Sequence, residues 1–110
     1  GEDLNVRLEG LRRDFPDYYR NIIRQIDRCF RWTGSPDLRA EIYFVINRDG
    51  TVSDVDIIES SGNFRFDIAA AGAAECAGQN GRLGPLPAEL PFDRFEIRFK
   101  FEPRRRGGDG

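Results

Sequence analysis

Between Phe95 and Phe101 the chain alternates without interruption. Phe95, Ile97, Phe99 and Phe101 are apolar, and Glu96, Arg98 and Lys100 are charged. A period of two places successive side chains on opposite faces of a strand, so this segment belongs in a sheet with one apolar and one polar face. An apolar sheet face has to be covered. A second alternation sets Leu38, Ala40, Ile42, Phe44 and Ile46 against Arg39, Glu41, Tyr43, Val45 and Asn47. Asn47-Arg48-Asp49-Gly50 then reads as a turn, with glycine where a positive φ is needed. Thr51 to Ile58 returns as the second strand of a hairpin. Its alternation breaks near Val52 to Val55, which predicts a bulge or register change there.

The cover comes from two segments with a different period. Tyr18, Tyr19, Ile22, Ile23, Ile26, Cys29 and Phe30 recur every three or four residues, while Arg20, Arg24, Gln25, Asp27, Arg28 and Arg31 face water. Pro16 suits the first turn of this helix, with Asp14 or Asp17 favouring its N-terminus, and Thr33-Gly34-Ser35-Pro36 ends it. Phe64, Phe66 and Ile68 lead into an alanine-rich run to Cys76 of strong helix propensity. Ile68, Gly72 and Cys76 share one face of that helix, where small residues permit close packing. The glycine-rich stretch 78–84 and Pro85, Pro87 and Pro91 form loop and extended chain. The reading is therefore a two-layer α+β domain of order α-β-β-α-β. Its sheet is three-stranded and antiparallel, with both helices on one face. Residues 1–14 read as a polar lead-in arm, 15–103 as the domain, and 104–110 as a flexible tail.

Composition narrows the chemistry. The chain of 110 residues has no histidine, which removes His-based triads, His general bases and most zinc sites. A net charge of −2 excludes a basic nucleic-acid binder by bulk electrostatics. No apolar run approaches the length of a membrane span. There is no methionine, so the chain reads as a piece of a longer or processed protein. Asp49, Asp54, Asp56, Glu59 and Asp67 gather around the hairpin and the next loop, and they read as solvated strand and turn residues rather than a catalytic or calcium site. The stretch 78–84 lacks a phosphate-loop signature. Arg104-Arg105-Arg106 reads as a solvated run. Tyr18 and Tyr19 read as core, and Trp32 as either core or part of an exposed binding patch. Cys29 and Cys76 are either one disulfide or two buried thiols.

An ordered set of these features resembles the C-terminal domain shared by TonB and TolA, the periplasmic ends of cell-envelope energy transducers. The features are Ile22, Ile23, Ile26 and Trp32; the hairpin from Ile42 to Gly50; Ser60-Ser61-Gly62 with Asp67; and Pro85-Leu86-Pro87 ahead of Phe99-Lys100-Phe101-Glu102-Pro103. The stretch 83–87 is closer to TolA-like and shorter TonB-like relatives. The resemblance implies a last strand at the sheet edge that binds partners by strand addition, through Phe95, Glu96, Ile97, Arg98, Phe99, Lys100 and Phe101. It implies no enzyme activity, cofactor or nucleic-acid partner. The implied partners are an extended segment of an outer-membrane TonB-dependent transporter, or a periplasmic receptor. The parent would be anchored in the inner membrane and driven by motor proteins there. A TolA-like or scaffold role, with self-association through an edge, is the alternative. A periplasmic address also implies a Cys29–Cys76 disulfide, since each cysteine ends a helix on its apolar face.

Overall fold

Pro16 divides the N-terminal part of the chain into two helices. The computed structural model describes residues 4–103, with side chains from Leu8 onward. Helix α1 spans Leu4–Asp14 and helix α2 spans Pro16–Cys29. A residue before proline is pushed out of the helical region, and Phe15 between them has φ −136° and ψ 63°. Phe15 is the N-cap of α2 and supplies no side-chain cap. The expected capping by Asp14 is absent, because its carboxylate pairs with Arg13 at 2.9 Å. Asp17 does lie in the first turn, where the helix dipole favours a negative charge. The helix ends at Cys29, ahead of the expected stop at Thr33-Gly34. Where the sequence suggested a lead-in arm, α1 packs on α2 and the last strand, and Leu11 is 1% exposed in the core. Leu4, Leu8, Leu11 and Phe15 carry a helical period that the polar residues between them obscure. The expected tail at 104–110, including Arg104-Arg105-Arg106, lies outside the described residues.

Strands β1 (Ala40–Asn47), β2 (Val52–Glu59) and β3 (Arg94–Phe101) form an antiparallel sheet of order β2-β1-β3. The β1–β3 ladder is regular from Ala40↔Phe101 to Asn47↔Arg94. The β1–β2 ladder shifts register between Tyr43 and Val45, where the sequence broke its alternation, and Asp54 takes φ 55° there. A second shift falls between Glu41 and Ile42. At the hairpin turn Gly50 has φ 90°, and a Cβ on it would lie 2.2 Å from the Gly84 carbonyl oxygen. Both the backbone angle and the close approach demand glycine.

Helix α3 (Phe64–Ala77) runs back along β2, because a Cβ at Gly78 would lie 2.6 Å from the Val52 side chain at the start of that strand. Asn63 caps it by accepting from the Phe66 amide at 3.1 Å. Its inward face is Phe66, Ala70, Ala73, Ala74 and Ala77. Ile68, which the sequence placed on the packing face, is instead 49% exposed.

The core lies between the helices and Ile42, Phe44, Ile46, Phe95, Ile97, Phe99 and Phe101 of the sheet. Aromatic edges meet faces within it: Phe30–Phe66 centroids are 5.6 Å apart at 88°, and Trp32–Phe66 are 5.2 Å apart at 89°. Trp32 therefore belongs with the core, and its indole N–H donates to the Ser35 carbonyl at 2.8 Å. Tyr18 and Tyr19 also pack against the core. The Cys29–Cys76 disulfide is formed, with the two Cα atoms 5.9 Å apart. It joins the last residue of α2 to the last turn of α3. The opposite sheet face is not uniformly wet, as the alternation suggested. Val45 on that face is fully buried and Glu41 is 8% exposed.

Candidate partner-binding edge

β3 ends the sheet, hydrogen-bonded to β1 on one side and, among the described residues, to no strand on the other. Its side chains obey the alternation. Phe95, Ile97, Phe99 and Phe101 are buried under the helices, Arg98 and Lys100 are exposed, and Glu96 is half-buried.

The polar face is laced across all three strands. The Tyr43 hydroxyl donates to Glu96 at 2.9 Å, Arg98 pairs with Glu41 at 2.5 Å, and Arg94 pairs with Asp54 at 2.5 Å. The Asn47 amide donates to the Ser53 hydroxyl at 3.2 Å. By register Val45 stands between Ser53 and Glu96, with Tyr43 and Asn47 on either side along its strand. Burial, with the Glu96 carboxylate adding to it, pushes the Tyr43 phenol above its usual range. The charges on β3 are thus largely committed to neighbouring strands.

A cavity of about 250 Å³ opens beside β3, lined by Leu8 of α1, Tyr19 and Ile23 of α2, Phe99 and Lys100 of β3, and the Glu41–Arg98 pair. Its lining takes Phe99 from one face of β3 and Arg98 and Lys100 from the other, which places it along the outer edge of the strand. The sequence reading missed Leu8. The only available signal was its spacing from Leu4 and Leu11. A similar volume at the end of the sheet is lined by Arg39, Ala40, Glu41, Glu59, Lys100 and Glu102.

Asp49, Asp54 and Asp67 take structural roles. Asp49 accepts from the Thr51 amide at 3.0 Å and hydroxyl at 2.7 Å and closes the hairpin turn, and these bonds lower its pKa. Asp54 is held by Arg94. Asp67 is 5% exposed at the start of α3. It accepts from the Ser60 hydroxyl, the Ser61 amide at 2.9 Å and the Ser61 hydroxyl at 2.7 Å. Burial alone would raise its pKa, but these hydrogen bonds win and hold it below the usual carboxylate value. Among the described residues, no group of three or more acidic or cysteine side chains is placed to hold a metal ion. No helix among them is long and apolar enough to cross a membrane.

A terminal strand flanked by helices, behind a hairpin, has a counterpart in sequence. A model of the TonB C-terminal family matches residues 15–101, most of the chain. The chain belongs to the TonB C-terminal family. C-terminal domains of TonB and TolA are periplasmic interaction domains. Two solved members share the fold. One is the third domain of TolA bound to a peptide from the N-terminus of TolB, with a TM-score of 0.59 and 21% identity over 76% of this chain and 70% of that one. The other is the Helicobacter pylori TonB C-terminal domain, residues 179–285, with a TM-score of 0.59 and 19% identity over 92% of this chain and 94% of that one. No curated protein matches the chain in sequence.

Proposed function

We propose that this TonB-family domain is the gripping end of an envelope energy transducer, and that β3 receives an extended partner segment as a fourth strand. The observation that carries the reading is the terminal position of β3 in the order β2-β1-β3. An outer strand edge offers a ladder template, and an incoming extended chain completes it. Phe95 to Phe101 supply the main chain for that ladder. The cavity beside Phe99 receives a side chain of the added segment: a dry cavity of roughly 150 Å³ already accepts a benzene ring, and this one measures about 250 Å³. The work is mechanical rather than chemical. A parent anchored in the inner membrane and coupled to motor proteins pulls on the domain, and the domain pulls on an outer-membrane transporter or a periplasmic receptor.

The test titrates isotope-labelled domain with synthetic peptides covering the periplasmic N-terminal segments of outer-membrane transporters and receptors of the same cell. Backbone resonances from Arg94 to Phe101 are expected to shift. Arg98→Pro, which removes an N–H and stiffens the strand, is expected to abolish the shifts, whereas Arg98→Ala retains them. A peptide that binds both variants equally would show that strand addition at β3 is not the mode.

A further inference from the structure

The opposite edge of the sheet carries a second feature. Four large apolar side chains stand well exposed among the described residues: Ile57 at 36%, Ile58 at 40%, Phe64 at 78% and Ile68 at 49%. Three of them, Ile57, Phe64 and Ile68, lie together along β2. Ile57 opposes Ile42, a core residue, and so faces the helix layer. Ile68 precedes Gly78 by ~15 Å of helix, at 1.5 Å per residue. Gly78 touches Val52, and ~15 Å of strand from Val52 is four to five residues. Ile68 therefore lies level with Ile57, and Phe64, one turn earlier, lies level with the end of the strand. Among the described residues, β2 has no strand on its outer side. The result is an apolar lip beside an open strand edge.

The charges on β2 itself have one sign. β2 carries Asp54, Asp56 and Glu59 and no cation. Arg94 occupies Asp54. Asp56 and Glu59 are exposed and enter no ion pair among the described residues. Arg65 is the only cation on α3. A second copy pairing β2 with β2 would bring like carboxylates together, which is unfavourable across strands. A segment with bulky apolar residues on one side and Lys or Arg on the other is complementary to both the lip and its rim.

We infer that the β2 edge is a second docking site, taking an extended, alternately apolar and basic peptide from a partner protein. β2 and β3 are separated by β1, with strands ~4.8 Å apart, and they face outward in opposite directions. Occupation of one edge leaves the other open, so this site stands whether or not β3 binds as proposed.

The experiment uses a synthetic heptapeptide, Lys-Val-Lys-Ile-Arg-Val-Lys, blocked at both ends. Its control has Glu at every basic position. Each is titrated into the labelled domain. The basic peptide is expected to shift amides of Val55 to Glu59 and Phe64 to Ile68, and to bind at least about ten-fold tighter than the acidic one. Ile68→Asp and Phe64→Ser alter exposed side chains, and circular dichroism reports that each variant remains folded. Each is expected to weaken binding by about ten-fold. Shifts confined to β3, equal binding of the two peptides, or no binding at millimolar concentration overturns the inference. Sedimentation that shows a concentration-dependent dimer, lost in Ile68→Asp, also overturns it by making a second copy the occupant.

Discussion

Asp67 joins the loop after β2 to the start of α3 through one carboxylate and three hydrogen bonds from Ser60 and Ser61. Removing an acceptor from such a buried group leaves its donors unpaired and costs about 1–3 kcal/mol. Asp67→Asn is expected to lower stability by that amount in urea denaturation at pH 7. Because the folded pKa is depressed, the stabilisation is complete above the unfolded carboxylate pKa of about 4 and is lost as pH falls below it. The variant should therefore show a flatter acid limb, which urea midpoints from pH 6 to about 2 would measure. Tyr18 has the opposite sign. Burial pushes its phenol from 10.0 up to about 12, and the hydroxyl donates to the Gly84 carbonyl at 3.2 Å. The folded state favours the neutral phenol, so this stabilisation is present below pH ~10 and disappears as pH rises through about 12. Tyr18→Phe is expected to remove that alkaline loss, and the ultraviolet phenolate titration of the native protein should retain one late-ionising tyrosine that the variant lacks.

At the scale of elements, Arg48 anchors the loop that delivers the chain to β3. Its guanidinium donates to the carbonyls of Pro87 at 3.1 Å, Leu90 at 2.7 Å and Phe92, and its own carbonyl accepts from the Leu86 amide at 3.0 Å. Arg48→Met is expected to lose about 2 kcal/mol, with Arg48→Lys restoring less than half, since one ammonium cannot span three fixed carbonyls. Hydrogen exchange localised to residues 85–93 would check it. Nothing in the sequence marks Arg48, because its partners, three carbonyls and the Asp93 carboxylate at 3.3 Å, lie about forty residues away. β1 and β3 were legible because period two is hard to produce otherwise. The bulge in β2 was legible as a break in that period. The orientation of α3 was not: the Asp67 bonds and the alanine stripe turn Phe66 inward and leave Phe64 and Ile68 outside, and these are tertiary choices that local spacing does not record. α1 was hidden for a related reason, since Leu8 and Leu11 bury only against α2 and β3.

For the whole molecule, the sheet order makes β3 terminal and β1 central, as the family resemblance implied. The edge strand was thus readable, while the cavity beside it required the packing of α1 to be known. Cys29 and Cys76 are 47 residues apart in sequence, and the chain-entropy model assigns closure of such a loop about 4 kcal/mol, with 2–4 typical in practice. The double variant Cys29→Ala/Cys76→Ala is expected to lose stability in that range in urea. The disulfide also encloses β1, β2 and nearly all of α3, while β3, α1 and all of α2 but its final cysteine lie outside the loop. Under tension applied between the chain ends, this partitions the extensible length. Pulled by its two ends, the oxidised chain can release only the residues outside the loop, because the span between the cysteines, a sequence separation of 47, is bypassed by the S–S bond. At up to ~3.3–3.6 Å per residue, roughly 150–170 Å of contour length stays locked until the bond is reduced. A stretching experiment with and without reductant should differ by that step, and β3 can be peeled from the sheet while the hairpin it pairs with remains covalently closed.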